Sequence, residues 1–175
     1  MDAFQCIRTL RAVRQFAERP VSDQVLHRIL EAGRWSGSAK NTQPWHMVVV
    51  RDRATLARLA ECGRFASHLR GAILGIAIVM EPPATRSEFD AGRMAQNLQL
   101  AAWAYGVGSC IAAMYEQDKA KSILGVPQEM AMVYVISFGY PDEAAPRLIE
   151  GKPRRSVLAS VGRKKLDEIV HWEKW

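Results

Sequence analysis

The sequence of 175 residues is poor in cysteine and has no long apolar run. Its three cysteines, Cys6, Cys62 and Cys110, are odd in number and widely spaced, so they fit a reducing environment better than a disulfide framework. The longest apolar run, residues 73–80, is well short of the ~20 residues that a membrane-spanning helix needs. Residues 1–10 carry polar side chains where a signal peptide would be apolar. We therefore expect a cytoplasmic protein without a membrane span.

Metal-ligand spacings and disorder-prone composition are also missing. None of the four histidines stands at ligand spacing with a cysteine or carboxylate, so we predict no metal site. Hydrophobic residues make up 49% and charged residues 24% of the chain, which are ordinary globular proportions and exclude a disordered chain. The length suits a single domain, residues 1–175.

Excess charge is absent from the middle of the chain. The formal net charge is +6, and basic and acidic residues balance between residues 21 and 150. The excess lies in residues 1–20 and residues 151–175. A nucleic-acid-binding surface would more often spread basic residues over a helix face or along a groove. Two basic ends around a neutral body raise a narrower question, namely whether both ends bind one anion.

The periodicity of apolar residues predicts helices that alternate with strands. The predicted helices are residues 2–10, 23–34, 52–68, 88–105 and 118–124. The predicted strands are residues 46–50, 73–80, 106–114 and 132–138. The second and fourth strands are apolar on both faces, which indicates helices on both sides of a sheet and hence a layered α/β/α domain. This pattern leaves the order of the strands open.

The C-terminal tail, residues 142–175, is polar and basic and contains Trp172 and Trp175. Two exposed tryptophans at a terminus are costly in water, so we expect them to dock on a protein surface. That surface is either the parent domain or a second subunit, and the pattern alone favours neither.

Several motifs follow one another along the chain. They are I-R-T-L-R-A-V-R-Q-F from residue 7, S-A-K-N-T-Q-P-W-H from residue 38, G-V-G-S-C from residue 106, and a basic R-K-K segment from residue 163. In this order they resemble the nitroreductase family of FMN-dependent NAD(P)H oxidoreductases, over essentially the whole chain. The pattern S-A-x-N-x-Q-P-W is the most specific element, whereas G-x-G alone is weak.

The resemblance implies the fold and the assembly. It predicts an α/β (α+β) fold, in which a layered α/β/α nitroreductase-like domain contains a mostly antiparallel central sheet. It also predicts an extended C-terminal arm, residues 142–175, that packs on the partner subunit of a homodimer. The flavin sites would then lie at the subunit interface. Trp172 and Trp175 fit this arrangement.

The resemblance assigns the FMN phosphate to both basic ends of the chain. The matching positions are Arg11, Ala12 and Arg14 near the N-terminus and Arg163 and Lys164 in the tail. Arginine suits this task because its planar fork can donate two hydrogen bonds to a phosphate. Relatives commonly have R-R-S-x-R, whereas Leu10 and Ala12 replace an arginine and the serine here. We therefore expect FMN to bind less tightly than in those relatives.

The isoalloxazine ring is assigned to two parts of the chain. Asn41 and Gln43 of the S-A-x-N-x-Q-P-W loop would contact its pyrimidine edge, because amides both donate and accept. Ser38 would lie near the phosphate and ribityl chain, and its alternative role is ordinary turn chemistry.

Backbone N–H groups of Ala112, Ala113 and Met114 would lie near the reactive ring nitrogen, and those of Ala113 and Met114 are the predicted catalytic groups. The sequence offers no acidic side chain in this stretch. Cys110 as a nucleophile is the alternative. A buried, inert thiol is the favoured interpretation, because Cys110 lies in an apolar strand with no histidine nearby in sequence.

The resemblance implies electron transfer from NADH or NADPH, through FMN, to a nitroaromatic, quinone or related small-molecule acceptor by a ping-pong mechanism. It implies neither a nucleic-acid nor a membrane partner. Two alternatives stay open. One keeps the fold and acts on a deazaflavin cofactor, a halogenated aromatic or flavin itself, and the other is a non-enzymatic basic binding module.

Overall fold

The computed structural model describes residues 1–82, 87–144, 148–149, 152–153 and 163–175. They form two compact units, Met1–Glu143 and Ala144–Trp175. The helices of the first unit are α1 (Ala3–Thr9), α2 (Asp23–Arg34), α3 (Arg53–Leu59), α4 (Ser87–Ala104) and α5 (Gln117–Leu124). Its strands are β1 (Trp45–Val50), β2 (Leu74–Met80), β3 (Gly108–Ala113) and β4 (Ala131–Gly139). Two 3-10 turns, Ala39–Asn41 and Ser67–Gly71, lie in the connections.

Local sequence signals account for most of the helix ends. The carboxylate of Asp2 accepts a hydrogen bond from Gln5 N in a capping box at the start of α1. The hydroxyl of Ser22 caps α2 as predicted. Helix α5 ends at Gly125, whose φ of 66° suits glycine at the residue after a helix.

The prediction of one helix over residues 52–68 is wrong beyond Leu59. The chain leaves the helix there, and Cys62 O accepts hydrogen bonds from the two backbone N–H groups that follow Met114. A helix continuing through Gly63 would remove this contact, because Cys62 O would then be directed into the helix itself. Tertiary hydrogen bonds therefore override the helical periodicity, and the segment ends in the 3-10 turn Ser67–Gly71.

The four long strands form one sheet with the order β1-β2-β4-β3, and each neighbouring pair is antiparallel. Helices α2 and α4 cover one face with buried residues such as Ile29 and Leu98. Helices α3 and α5 cover the other face with residues such as Leu56 and Ala120. Because both faces are covered, every residue of β2 is buried. The layered fold with a mostly antiparallel sheet is therefore confirmed.

Strand β3 forms one edge of this sheet, and the basic N-terminal segment runs beside it. Val13 N donates to Ser109 O at 2.8 Å, and Ala12 pairs with Ser109 in a parallel bridge. The close approach requires glycine at position 108, since a Cβ there would lie 2.5 Å from the Val13 side chain. The backbone between Arg11 and Arg14 is thereby held against β3.

The second unit contains two short antiparallel strands, β5 (Leu148–Ile149) and β6 (Lys152–Pro153), and a 3-10 turn at Leu166–Glu168. Trp172 and Trp175 are exposed, and the ring of Trp175 stacks on His171 at 4.4 Å. The predicted arm begins two residues before this unit, at residue 142. Residues 145–147, 150–151 and 154–162 of it lie outside the described residues. Docking of the arm on a partner stays a prediction.

None of the helices in the described ranges is long and apolar enough to cross a membrane.

Candidate active site

The backbone groups of β3 alternate between the hydrogen bonds to β4 and the outer edge of the sheet. Ser109 O faces the outer edge, because it accepts from Val13 N. Residues two apart in a strand direct their N–H and C=O groups to the same side. The N–H of Ala113 therefore faces outward, at an exposed residue, whereas the N–H of Ala112 faces β4. Of the predicted donors in this strand, Ala113 is the one directed away from the sheet.

The end of β3 is held by the turn that follows α3. Cys62 O accepts the backbone N–H groups of Tyr115 and Glu116 at 2.9 and 3.0 Å. Gly63 packs against the same place, since a Cβ there would lie 2.6 Å from Ala113 O. The side chain of Met114, the second predicted catalytic position, is buried beside this turn. The position of the Ala113 carbonyl group therefore depends on a glycine fifty residues earlier in the chain.

The two N-terminal arginines have different neighbours. The Arg11 guanidinium lies over the Trp103 ring of α4, 5.5 Å from its centroid. Arg14 is exposed and lies beside Cys110 and His68. The described contacts thus do not bring Arg11 and Arg14 together, and their common role at a phosphate stays a prediction. Ala12, between them, is exposed.

Cys110 is buried, with 4% of its surface exposed. Burial raises the pKa of the Cys110 thiol, and the positive charge of Arg14 only partly opposes this effect. A buried thiol with a raised pKa is a poor nucleophile, because the thiolate is the reactive form. The structure therefore supports the inert interpretation of Cys110.

His68 is a buried residue that the sequence does not single out. It lies in the 3-10 turn Ser67–Gly71, and 5% of its surface is exposed. Its Nδ1 is 2.7 Å from Ser137 Oγ on β4, and the Ser137 hydroxyl donates to Cys110 O at 3.2 Å. Its Nε2 is buried and has no hydrogen-bond partner among the described residues. A buried polar atom without a partner is uncommon and calls for a physical explanation.

The environment of His68 predicts a pH-dependent stability. Burial, and to a smaller extent the charge of Arg14, lowers the pKa of His68 from 6.5 to about 4. The unfolded chain therefore binds more protons than the folded one between these pH values, so the free energy of unfolding falls as the pH falls. The expected loss across this window is about 2–3 kcal/mol. Urea unfolding at pH 7 and pH 4.5 should show that His68→Gln loses part of this pH dependence.

The matched control for that experiment is His27→Gln, because His27 is exposed on α2. It should unfold with the pH dependence of the unmodified chain. Equal pH dependence in His68→Gln and the unmodified chain would contradict the prediction.

The loop with the S-A-x-N-x-Q-P-W pattern has an unusual backbone. Lys40, Asn41 and Gln43 have φ values of 52°, 54° and 50°, in the left-handed region that residues other than glycine seldom adopt. Such strain is concentrated at functional sites. The hydroxyl of Ser38 accepts a hydrogen bond from Gln43 N at 2.9 Å, which is the turn role considered as an alternative. The side chains of Asn41 and Gln43 are exposed, and their contact with a flavin ring stays a prediction.

Helix α4 holds this loop and the turn before it. The buried carboxylate of Asp90 accepts a hydrogen bond from Ala39 N at 3.3 Å and lies 3.8 Å from the Arg93 guanidinium. Asn97 donates to the hydroxyl of Ser36 at 2.8 Å. These contacts attach the residues just before the strained segment to α4.

The two tail residues assigned to the phosphate, Arg163 and Lys164, lie in the second unit and are exposed there. Their convergence with the N-terminal arginines stays a prediction.

Comparisons with known proteins show the family to which this fold belongs. The profile of the nitroreductase family matches residues 7–66 and 61–140. A protein of Archaeoglobus fulgidus named "Putative NADH dehydrogenase/NAD(P)H nitroreductase" is 30% identical, over 99% of both chains. An NADH dehydrogenase of Thermus thermophilus is 27% identical, over 98% of this chain and 96% of its own.

A solved structure from Desulfovibrio desulfuricans, described as a "putative nitroreductase in complex with FMN", has the same fold. It is 27% identical and superimposes with a TM-score of 0.77, over 100% of this chain and 98% of its own. Because the family profile covers most of the sequence and the similarity to the Archaeoglobus protein extends over nearly all of it, the chain belongs to the nitroreductase family.

Proposed function

We propose that the protein is an FMN-dependent oxidoreductase that takes electrons from NADH or NADPH and reduces nitroaromatics, quinones or related acceptors. The observation that carries this proposal is the outward-facing N–H of Ala113 on the edge of β3, in a chain of the nitroreductase family. The Desulfovibrio protein, which is described in complex with FMN, supports the choice of cofactor. The name of the Archaeoglobus relative supports the choice of electron donor.

The residues beside β3 fit the three parts of FMN. The phosphate needs cations, and Arg14 is an exposed cation at this strand. The ribityl chain carries hydroxyl groups, and His68 Nε2 is a buried polar atom without a partner in the described residues. The ring needs a donor near its reactive nitrogen, and Ala113 has an outward-facing N–H. A cation, a buried polar nitrogen and a backbone donor thus occur together beside β3.

FMN held by these residues would supply the redox chemistry, namely uptake of a hydride from NAD(P)H and delivery of electrons to the acceptor. The chain supplies a fixed donor at Ala113, whose N–H belongs to a strand and therefore needs little reorganisation during reaction. Neither Ala113 nor Met114 offers an acid or base, and solvent can supply the protons. Cys110 is not required, in agreement with its buried thiol.

We also propose that two copies of the chain form the complete site. Large apolar side chains are exposed on the first unit, including Phe4, Ile7, Trp35 and Phe89, with 58–75% of their surface accessible. Such exposure is typical of protein interfaces. In a homodimer, Asn41 and Gln43 of one subunit would reach the flavin ring held by the other. Trp172, Trp175 and the arm at residues 142–175 would pack on the partner.

Flavin reconstitution tests the proposed function. The purified protein, incubated with FMN and desalted, should retain a flavin absorption spectrum. Anaerobic NADH or NADPH should bleach this spectrum, and a quinone or nitroaromatic should restore it. Initial rates at several concentrations of both substrates should give the parallel double-reciprocal lines of a ping-pong mechanism.

Two results would oppose the proposal. A protein that retains no flavin would favour the basic binding module. A yellow protein that neither nucleotide reduces would favour the alternative of the same fold acting on a different substrate class, such as a deazaflavin or a halogenated aromatic.

A further inference from the structure

The hydrogen bonds around His68 fix the kind of partner that its Nε2 requires. The Ser137 hydroxyl has a single proton, which it donates to Cys110 O. We assign the ring proton of His68 to Nδ1, because Ser137 Oγ then accepts at the 2.7 Å contact while its own proton is donated to Cys110 O. In this tautomer of the neutral ring, Nε2 is a buried acceptor whose lone pair has no partner among the described residues. Its partner must be an O–H or N–H group, because a phosphate oxygen or a carbonyl offers no proton.

The register of β3 fixes where this acceptor lies along the candidate site. The N-terminal segment with Arg14 docks at Ser109, and the outward-facing N–H of the strand is at Ala113. His68 is connected through Ser137 to Cys110, which lies between these two positions. In FMN the ribityl chain likewise lies between the phosphate and the ring. Its hydroxyl groups are the donors that a buried acceptor at this level would meet.

We propose that His68 binds FMN, with Nε2 accepting a hydrogen bond from a hydroxyl group of the ribityl chain. This inference rests on the proposed FMN-dependent function and adds a cofactor-binding residue from the turn Ser67–Gly71. Ser137 is a positioning residue in this arrangement, because its bond to Nδ1 directs the lone pair of Nε2 toward the cofactor. The assignment gives a partner to a buried nitrogen that has none among the described residues.

Equilibrium binding of FMN analogues tests the assignment without measuring turnover. The ligands are FMN and a set of analogues that keep the phosphate and ring but each lack one ribityl hydroxyl. Affinity is measured by quenching of flavin fluorescence on the unmodified chain, His68→Leu and His68→Gln. His68→Leu should bind FMN about fivefold to tenfold more weakly, as expected for one lost hydrogen bond. His68→Gln keeps an acceptor near the ε position and should recover part of this loss.

The analogue series identifies the contact by a thermodynamic cycle. One analogue should bind the unmodified chain and His68→Leu with equal affinity, because it lacks the hydroxyl that His68 would bind. His27→Leu, a change at an exposed histidine, is the matched control and should leave all affinities unchanged. Circular dichroism of each variant confirms that it is folded before titration.

The outcomes separate this inference from the proposed function. If the unmodified chain binds no FMN, the proposed function fails and the inference with it. If the unmodified chain and His68→Leu bind FMN equally, or if His68→Leu weakens FMN and every analogue by the same factor, only the assignment of His68 is overturned. If His68→Leu is unfolded, the affinities of His68→Gln for FMN and the analogues are compared with those of the unmodified chain instead. Equal affinities, or the same weakening for every ligand, would then overturn the assignment of His68.

Discussion

Replacing Arg11 and Arg14 together with alanine is expected to abolish stable FMN binding. Each guanidinium can donate charge-assisted hydrogen bonds to a phosphate, worth roughly 1.5–3 kcal/mol. Losing both should weaken FMN binding by about a hundredfold or more. We expect few other groups to hold the phosphate here, because Leu10 and Ala12 offer neither the guanidinium nor the hydroxyl that the family resemblance leads us to expect at these positions. Flavin content after desalting and fluorescence titration with FMN measure the effect.

The control for this pair is Arg28→Ala with Arg58→Ala, which removes the same charge from exposed positions on α2 and α3. It should keep full flavin content. The single variants should also differ: Arg14→Ala should have the larger effect, since Arg14 lies beside His68 and Cys110 whereas Arg11 stacks on Trp103. Full flavin occupancy in the double variant would contradict the phosphate assignment.

Most of the fold could be predicted from the sequence because its signals are local. A single hydroxyl, that of Ser22, marks the start of α2, an unbroken apolar run marks β2, and a largely apolar run marks β4. The exception is the segment after Leu59. Its helical periodicity continues, yet the hydrogen bonds of Cys62 O come from residues more than fifty positions away. Partners at that distance in sequence are outside the reach of periodicity.

The candidate site likewise contains some residues that the sequence could predict and others that it could not. The motif order predicted Arg14, Ala113 and the loop at Ser38, and the structure places Arg14 and Ala113 along β3. The motif order could not predict a role for His68, because the hydrogen bond that distinguishes this histidine joins residues 69 positions apart. The left-handed conformation of Lys40 was equally inaccessible, since lysine has no preference for it and contacts from α4 help to hold this loop.

The second large effect is expected from Gly63→Ala. The added Cβ would lie 2.6 Å from Ala113 O and 2.9 Å from the Ala66 Cβ, so the backbone must shift where the Gly63 turn meets the end of β3. Overpacking of this kind costs about 1–3 kcal/mol of stability. The same movement displaces the N–H of Ala113, and a misplacement of about 1 Å at a reacting centre can reduce a rate by about a hundredfold. Stopped-flow bleaching of bound FMN by NADH or NADPH should therefore slow by about tenfold to a hundredfold.

Gly71→Ala separates a positional effect from the general cost of replacing a glycine. It lies in the next turn of the same connection, and nothing lies within 4 Å of the position that its Cβ would occupy. It should bleach at the unmodified rate. Gly63→Ala should still bind FMN, because Arg14 and His68 are unchanged, so that slow bleaching at full occupancy indicates a displaced donor. If Gly63→Ala is destabilised and yet bleaches at the unmodified rate, the prediction is contradicted, because a disturbed contact at Ala113 would then leave hydride transfer unaffected.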